Sequence, residues 1–236
     1  MARCRVLHLG THDIWYHVIL RIELRTAVVE RATGGLHGSI KEFCFVTEAI
    51  RLANPLGDLM RISRHYTNED QSPYDLLEFR TTASEIRNPD GSIVFRLDEM
   101  EVPTRFSQVA SDVLAQKYFR KAGVPAIMKK IEENSVPSWL WRSVPDEAAL
   151  SKLPEEQRFI GEVSAKQVFD RLAGTWTYWG WKGGYFDSEE DARAYFDEMR
   201  FMLANQSGAP NSPQWFNTGL HWAYGIDGPA QGHSYV

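Results

Sequence analysis

The chain has 236 residues, of which 43% are hydrophobic and 24% charged, with a formal net charge of −5 and a pI near 5.8. That balance is ordinary for a soluble globular protein of one large or two small domains, and it gives no sign of a chain disordered throughout. It excludes broad electrostatic attraction to nucleic acid or an anionic membrane, so a charged ligand would be held by a specific site or a local basic patch. No run approaches the ~18 apolar residues that span a bilayer. Ile14 to Leu24, the most apolar early stretch, is interrupted by His17, Arg21 and Glu23 and makes a poor secretory core. The expected location is the cytoplasm.

The first 59 residues differ in texture from the rest. They hold both cysteines, Cys4 and Cys44, and four of the seven histidines, and their basic residues are almost all arginine. Neither cysteine has a CxxC or metal-ligand neighbourhood, so both read as incidental thiols in a reducing compartment. Further on, Asn88-Pro89-Asp90-Gly91 is strong turn chemistry, and Ile93, Phe95 and Leu97 alternate on one strand face, predicting a hairpin over Ser84 to Leu97. Beyond Pro103 the spacing of Phe106, Val109, Ala110, Val113, Leu114 and Lys117-Tyr118 predicts an amphipathic helix, stopped by Gly123 and Pro125. Val136 to Leu153, with its prolines and tryptophans, reads as a packed loop with short helical turns.

Ser164-Ala165-Lys166-Gln167 fits a capping box for a helix running to about Ala173 and ended by Gly174. A clearer helix starts near Ser188, with Glu189, Glu190 and Asp191 in its first turn. Its apolar stripe is Ala192, Tyr195, Phe196, Met199, Met202 and Leu203, and Gly208-Ala209-Pro210 ends it. Between the two helices, Trp176, Tyr178, Trp179, Trp181, Tyr185 and Phe186 crowd into a glycine-rich segment. Such rings can stack on sugars or bases. Core or interface packing is the favoured reading, because each buried aromatic removes ~150–250 Å² from water and few basic residues surround them. A buried Trp179 would cost ~3–5 kcal/mol on truncation to alanine. Gly180 to Gly184 lacks the spacing of a phosphate loop.

His65, His221 and His233 carry no metal-site spacing and read as packing or surface residues. Glu132-Glu133 and Glu189-Glu190-Asp191 read as solvated helix faces. Pro210 to Gly219 is different. Pro213 fixes its own φ and restricts Ser212 to extended geometry, while Gly219 permits a turn that a β-carbon would forbid. A hydroxyl held in such a stiff loop can donate to a phosphate or ribose oxygen, with Asn211, Gln214 and Asn217 as bracing side chains.

Long strings carry a wider pattern. Glu78-Phe79-Arg80-Thr81-Thr82-Ala83-Ser84-Glu85-Ile86-Arg87-Asn88-Pro89-Asp90-Gly91-Ser92, Gln108 to Pro125, Pro137-Ser138-Trp139-Leu140-Trp141-Arg142, Gly174 to Phe186, and Ala209 to Val236 with its Ser212-Pro213-Gln214-Trp215-Phe216-Asn217-Thr218-Gly219 resemble the vitamin B12 (adenosylcobalamin)-dependent, class II ribonucleotide reductases. The resemblance covers most of Met60 to Val236. It implies an α+β fold, a mainly α-helical amino-terminal domain with a small β-hairpin, preceding the ten-stranded α/β barrel of these enzymes. Residues 1–59 would be an upstream extension without a counterpart in the family, with Met60 a sensible initiator. The rival reading is a genuine strand-and-helix appendage built on His17 to Leu24 and Phe43 to Leu52. Residues 60–205 would be the helical domain, and 206–236 the start of the barrel with its first substrate loop.

The implied activity is reduction of ribonucleoside diphosphates to 2′-deoxyribonucleotides for DNA synthesis. In the family, adenosylcobalamin generates a thiyl radical that abstracts the ribose 3′ hydrogen, the 2′ hydroxyl leaves as water, and two cysteines become a disulfide. No cysteine follows Cys44, so the catalytic thiols are expected beyond Val236 and the chain alone is expected to be inactive. No catalytic residue, metal ligand or cobalamin contact is assigned within it. Ser212 matches the hydroxyl before the loop's proline that contacts the substrate nucleotide in the family, a binding role. Implied partners are the ribonucleotide substrate, dNTP and ATP effectors, a thioredoxin-type reductant and the remainder of the same chain, with no membrane and no direct nucleic-acid binding. The alternative is a non-catalytic, aromatic-rich module for carbohydrate or single-stranded nucleic acid, which exposed, coplanar rings in Trp176 to Phe186 would favour.

Overall fold

In the computed structural model residues 59–227 are described, all within the second of the two units into which the chain divides, residues 57–236. The expectations for Cys4, Cys44, the apolar runs at 17–24 and 43–52, and His233 lie outside the described residues. A 3₁₀ turn, Pro73–Leu76, leads into strand β1, Phe79–Arg87, which pairs antiparallel with β2, Ile93–Pro103. The predicted turn closes this hairpin: Gly91 adopts φ 86 and donates to the Asn88 carbonyl at 2.9 Å. Only the base of the ribbon is core. Met100 and Val102 are fully buried, whereas Ile93 and Val94 at the far end are 47% and 59% exposed, so the alternation at Ile93 does not mark a buried face.

Helix α1, Gln108–Val113, follows, capped by Ser107, whose hydroxyl accepts from Ala110 N–H. It continues as a π turn, Leu114–Tyr118, in which Phe119 N–H reaches back to the Leu114 carbonyl at 2.9 Å. Its buried face is Ser111, Leu114 and Ala115, while Val109 is 72% exposed. The predicted stripe holds at Phe106 and Leu114 but not at Val109 and Val113, which face solvent; Gln108 Nε2 donates to the Ala83 carbonyl and Gln116 Nε2 to Ser84 Oγ, fixing the segment to β1 through polar contacts.

Two small antiparallel ladders follow, of which only one strand, β5, lies in the Val136 to Leu153 stretch read as loop: β3, Val124–Pro125, and β4, Met128–Lys130, pair with β6, Phe159–Ile160, and β5, Ser143–Pro145, respectively. Short helices α2, Glu147–Leu150, and α3, Glu155–Arg158, lie between β5 and β6. Tryptophan indoles pin this region, Trp141 Nε1 to the Val136 carbonyl at 2.8 Å and Trp222 Nε1 to that of Leu140 at 3.0 Å.

Helix α4, Ala165–Lys182, opens with the predicted capping box: Ser164 Oγ accepts from Lys166 N–H, and Gln167 Oε1 from Ser164 N–H. It does not end at Gly174. The helix continues to Lys182, and the supposed glycine-rich aromatic loop is its second half. Gly174 is there because a β-carbon would overlap the Trp222 ring, and at Gly180 one would lie 2.7 Å from the Phe186 ring. Close approach to aromatic rings, not a stop, explains both glycines.

Helix α5, Glu189–Ala204, begins as predicted, with Ser188 Oγ accepting from Asp191 N–H at 3.1 Å. It ends four residues short of Gly208. Gln206 takes φ 56, Gln206 N–H bonds to the Leu203 carbonyl and Ser207 N–H to that of Met202, the two closing bonds of a Schellman motif. α4 and α5 pack side by side, burying Val168, Phe169, Leu172, Ala173 and Trp176 with Ala192, Met199 and Leu203. Each such large side chain contributes ~1.5–3 kcal/mol by leaving water. Residues 65–67 are tied to α5 by Glu198, whose buried carboxylate accepts from three successive backbone N–H groups and Thr67 Oγ1. Helices α6, Ser212–Asn217, and α7, Leu220–Tyr224, complete the described part. The observed class is α+β with small antiparallel ribbons. Among the described residues no helix is long and apolar enough to cross a membrane.

Candidate functional site

Ser212 stands at the first turn of α6, exposed to solvent. Its backbone is helical rather than extended; the extended residue is Asn211, with φ −62 and ψ 152. Pro213 tolerates this placement because its missing N–H falls among the first-turn amides that have no intrahelical acceptor. Gly219 behaves as expected. It has φ 89, and a β-carbon there would overlap the Arg171 carbonyl, so the chain turns directly against α4. Of the three amide side chains expected to brace the loop, Gln214 does so through Thr218 Oγ1, which donates to it at 2.7 Å. Asn211 makes no side-chain cap.

The firmer bracing comes from residues that the sequence did not single out. Arg171 and Glu162 are both fully buried and meet at 2.8 Å through Nε and Oε1. From there Arg171 Nη1 donates to the Thr218 carbonyl at 2.8 Å, and Nη2 to those of Trp215 at 2.8 Å and Tyr118 at 3.0 Å. Glu162 in turn accepts from Arg120 N–H at 2.7 Å and from Tyr224 Oη at 2.8 Å. Burial, and then the adjacent Glu162 carboxylate, push the Tyr224 phenol far up, keeping it a donor. A planar five-donor guanidinium is suited to this task, since it satisfies carbonyls at several chain ends at once.

Above this clamp lies an aromatic platform. Tyr118 stacks on Trp215 at 5.6 Å between centroids and meets Phe216 edge-on at 5.2 Å. Trp215 Nε1 donates to the Pro210 carbonyl at 2.9 Å. The Tyr118 and Ser212 hydroxyls are 2.7 Å apart. The exposed end of the platform is thus a pair of hydroxyls on a segment whose carbonyls are held from the interior.

The other polar groups are structural. Glu133 is not on a solvated helix face: it pairs with Arg142 at 2.7 Å and accepts from Tyr178 Oη at 2.7 Å. Glu189 accepts from Trp139 Nε1, Glu190 pairs with Arg64, and Asp191 accepts from Ile62 N–H. His221 is a half-exposed member of a polar string, between Arg142 Nη1 and Asp227 Oδ1, each at 2.6 Å. Among the described residues no group of three or more His, Cys, Asp or Glu could hold a metal ion.

The family model of the class II vitamin B12-dependent ribonucleotide reductases matches residues 80–206, more than half of the chain. The chain belongs to this family. It is 73% identical over 177 residues to a vitamin B12-dependent ribonucleotide reductase of Bradyrhizobium diazoefficiens and 69% identical over the same length to one of Agrobacterium fabrum. Each match takes in 75% of this chain and 14% of the relative. One from Rhodopirellula baltica is 28% identical over 166 residues, 70% of this chain and 13% of the relative. The chain thus spans about a seventh of the length of the curated reductases it matches. Ser212 lies just beyond the family-model match. Within it, Trp176 and Phe186 are 6% and 7% exposed, so the aromatic segment of this class II reductase chain is mainly scaffold. Trp179, at 45% exposure, is the exception. The coplanar exposed face that a carbohydrate or nucleic-acid module needs is not formed.

Proposed function

We propose that the chain supplies a nucleotide-binding loop and its helical support to a class II ribonucleotide reductase that converts ribonucleoside diphosphates to 2′-deoxyribonucleotides. The observation that carries this is the exposed Ser212 hydroxyl on a segment tied to the interior by Arg171, in a chain of this family. Ser212 donates to a phosphate or ribose oxygen, and the clamp keeps that donor in place before the ligand arrives, which lowers the ordering cost of binding. Residues 60–205 act as the helical domain and 206–236 as the entry to a barrel. dNTP and ATP effectors, a thioredoxin-type reductant, the polypeptide bearing the catalytic thiols and a cytoplasmic location belong to the same proposal.

Adenosylcobalamin, when bound, supplies the radical. The described residues contain no thiol to receive it, so they do not fit as its reaction partners, and their part is to bind and orient. The test is the affinity of the native polypeptide for labelled CDP. Ser212→Ala is expected to weaken it about threefold to tenfold with no change in melting temperature; an unchanged Kd would overturn the assignment.

A further inference from the structure

We propose that Tyr118 is a positioning residue for Ser212: its phenol donates to Ser212 Oγ and thereby turns the serine's own proton outward, toward an oxygen of the incoming nucleotide. This rests on the reading of Ser212 as a substrate contact. At 2.7 Å the pair is at the favoured distance for O–H···O. A serine has one proton, so whichever partner donates decides where that proton points. A phenol is the more acidic of the two groups and the better donor, and a donor chain ending on a ligand oxygen polarises along its length.

Three features place the Tyr118 hydroxyl with little freedom. Its ring stacks on Trp215 and meets Phe216 edge-on. Its carbonyl is held by Arg171, which also holds that of Trp215. Tyr118 is the last residue of the π turn Leu114–Tyr118, which Phe119 N–H closes on the Leu114 carbonyl before the chain turns extended. π turns are rare and occur frequently at functional sites.

The experiment measures CDP and cytidine affinity of the native polypeptide and of Tyr118→Phe, Ser212→Ala and the double variant. Tyr118→Phe keeps the stacked ring, so its melting temperature is expected to stay at the parent value while CDP binding weakens about threefold to tenfold. The double variant is expected to bind no more weakly than Ser212→Ala alone, because the phenol acts through the serine. A loss for CDP but not cytidine places the contacted oxygen on phosphate; equal losses place it on ribose. Parent affinity in Tyr118→Phe, or a loss that adds fully to that of Ser212→Ala, overturns the inference while leaving Ser212 a contact. Parent affinity in Ser212→Ala overturns both. Should Tyr118→Phe disturb folding, 2,3-difluorotyrosine at position 118 keeps the shape with a more acidic phenol. At mildly acidic pH this stronger donor should tighten CDP binding, and an unchanged Kd overturns the inference.

Discussion

Arg171 and Glu162 form an ion pair at 2.8 Å with both side chains at 0% exposure, and they are joined by backbone groups from four places in the chain: Arg120, Tyr118, Trp215 and Thr218. Removing one member of such a pair leaves a buried, uncompensated charge, at a cost of ~3–5 kcal/mol. Arg171→Met is expected to destabilise the chain by that amount in denaturant unfolding. Pairing it with Glu162→Leu should not restore stability as apolar replacement of a simple buried pair can, because the carbonyls of Tyr118, Trp215 and Thr218 would be left unsatisfied. Full recovery in the double variant would show that the carbonyl contacts contribute nothing.

Gly174 and Gly219 test packing against propensity. Alanine in the middle of a helix gains ~1 kcal/mol over glycine, which alone would make Gly174→Ala stabilising. Its β-carbon would overlap the Trp222 ring, which is buried and anchored to the Leu140 carbonyl. Overpacking of a filled core costs ~1–3 kcal/mol, so net destabilisation is expected. Gly219→Ala should be worse, since the obstacle is the Arg171 carbonyl and φ is 89. A melting temperature raised by either substitution would contradict this account.

What the sequence disclosed and what it hid divide along the range of the interactions. The turn at Asn88 to Gly91, the Ser164 capping box and the Ser188 cap are local contacts among neighbours, and each was legible. Gly174 reads as a helix stop only because its reason lies at Trp222, and the stop expected at Gly208 to Pro210 comes earlier because Gln206 takes the left-handed position usually given to glycine. Ser212 and Gly219 could be named from the loop's own residue pattern. Arg171, Glu162 and Tyr118 could not, for a lone charged residue within an apolar helix stripe or a tyrosine at helical spacing gives no sign of partners forty or ninety positions away.

Trp179 had been expected to be buried if the aromatic segment was core, but it faces solvent while Trp176 faces inward. Trp176→Ala is expected to cost ~3–5 kcal/mol and Trp179→Ala less than about 1 kcal/mol, the range of substitutions away from core features. Thermal unfolding of the two variants decides this. Equal losses would mean that Trp179 is covered in the protein as purified.

Acid should loosen the chain at Glu133. Burial works against its charge, but the hydrogen bonds from Tyr178 and Arg142 and the charges of Arg142 and Lys182 outweigh it and hold the carboxyl below its ordinary 4.5. The same contact, after burial, pushes the Tyr178 phenol up to about 12. A carboxylate with a lowered folded-state pKa binds protons more readily when unfolded. Its stabilisation is therefore complete above about pH 4.5 and is lost as pH falls through the folded value. Glu133→Gln is expected to lower the melting temperature at neutral pH, and the deficit should shrink below pH 4.5 as the parent loses the same charge. A deficit that stays constant across that acid window would show that the charge on Glu133 does not stabilise the fold.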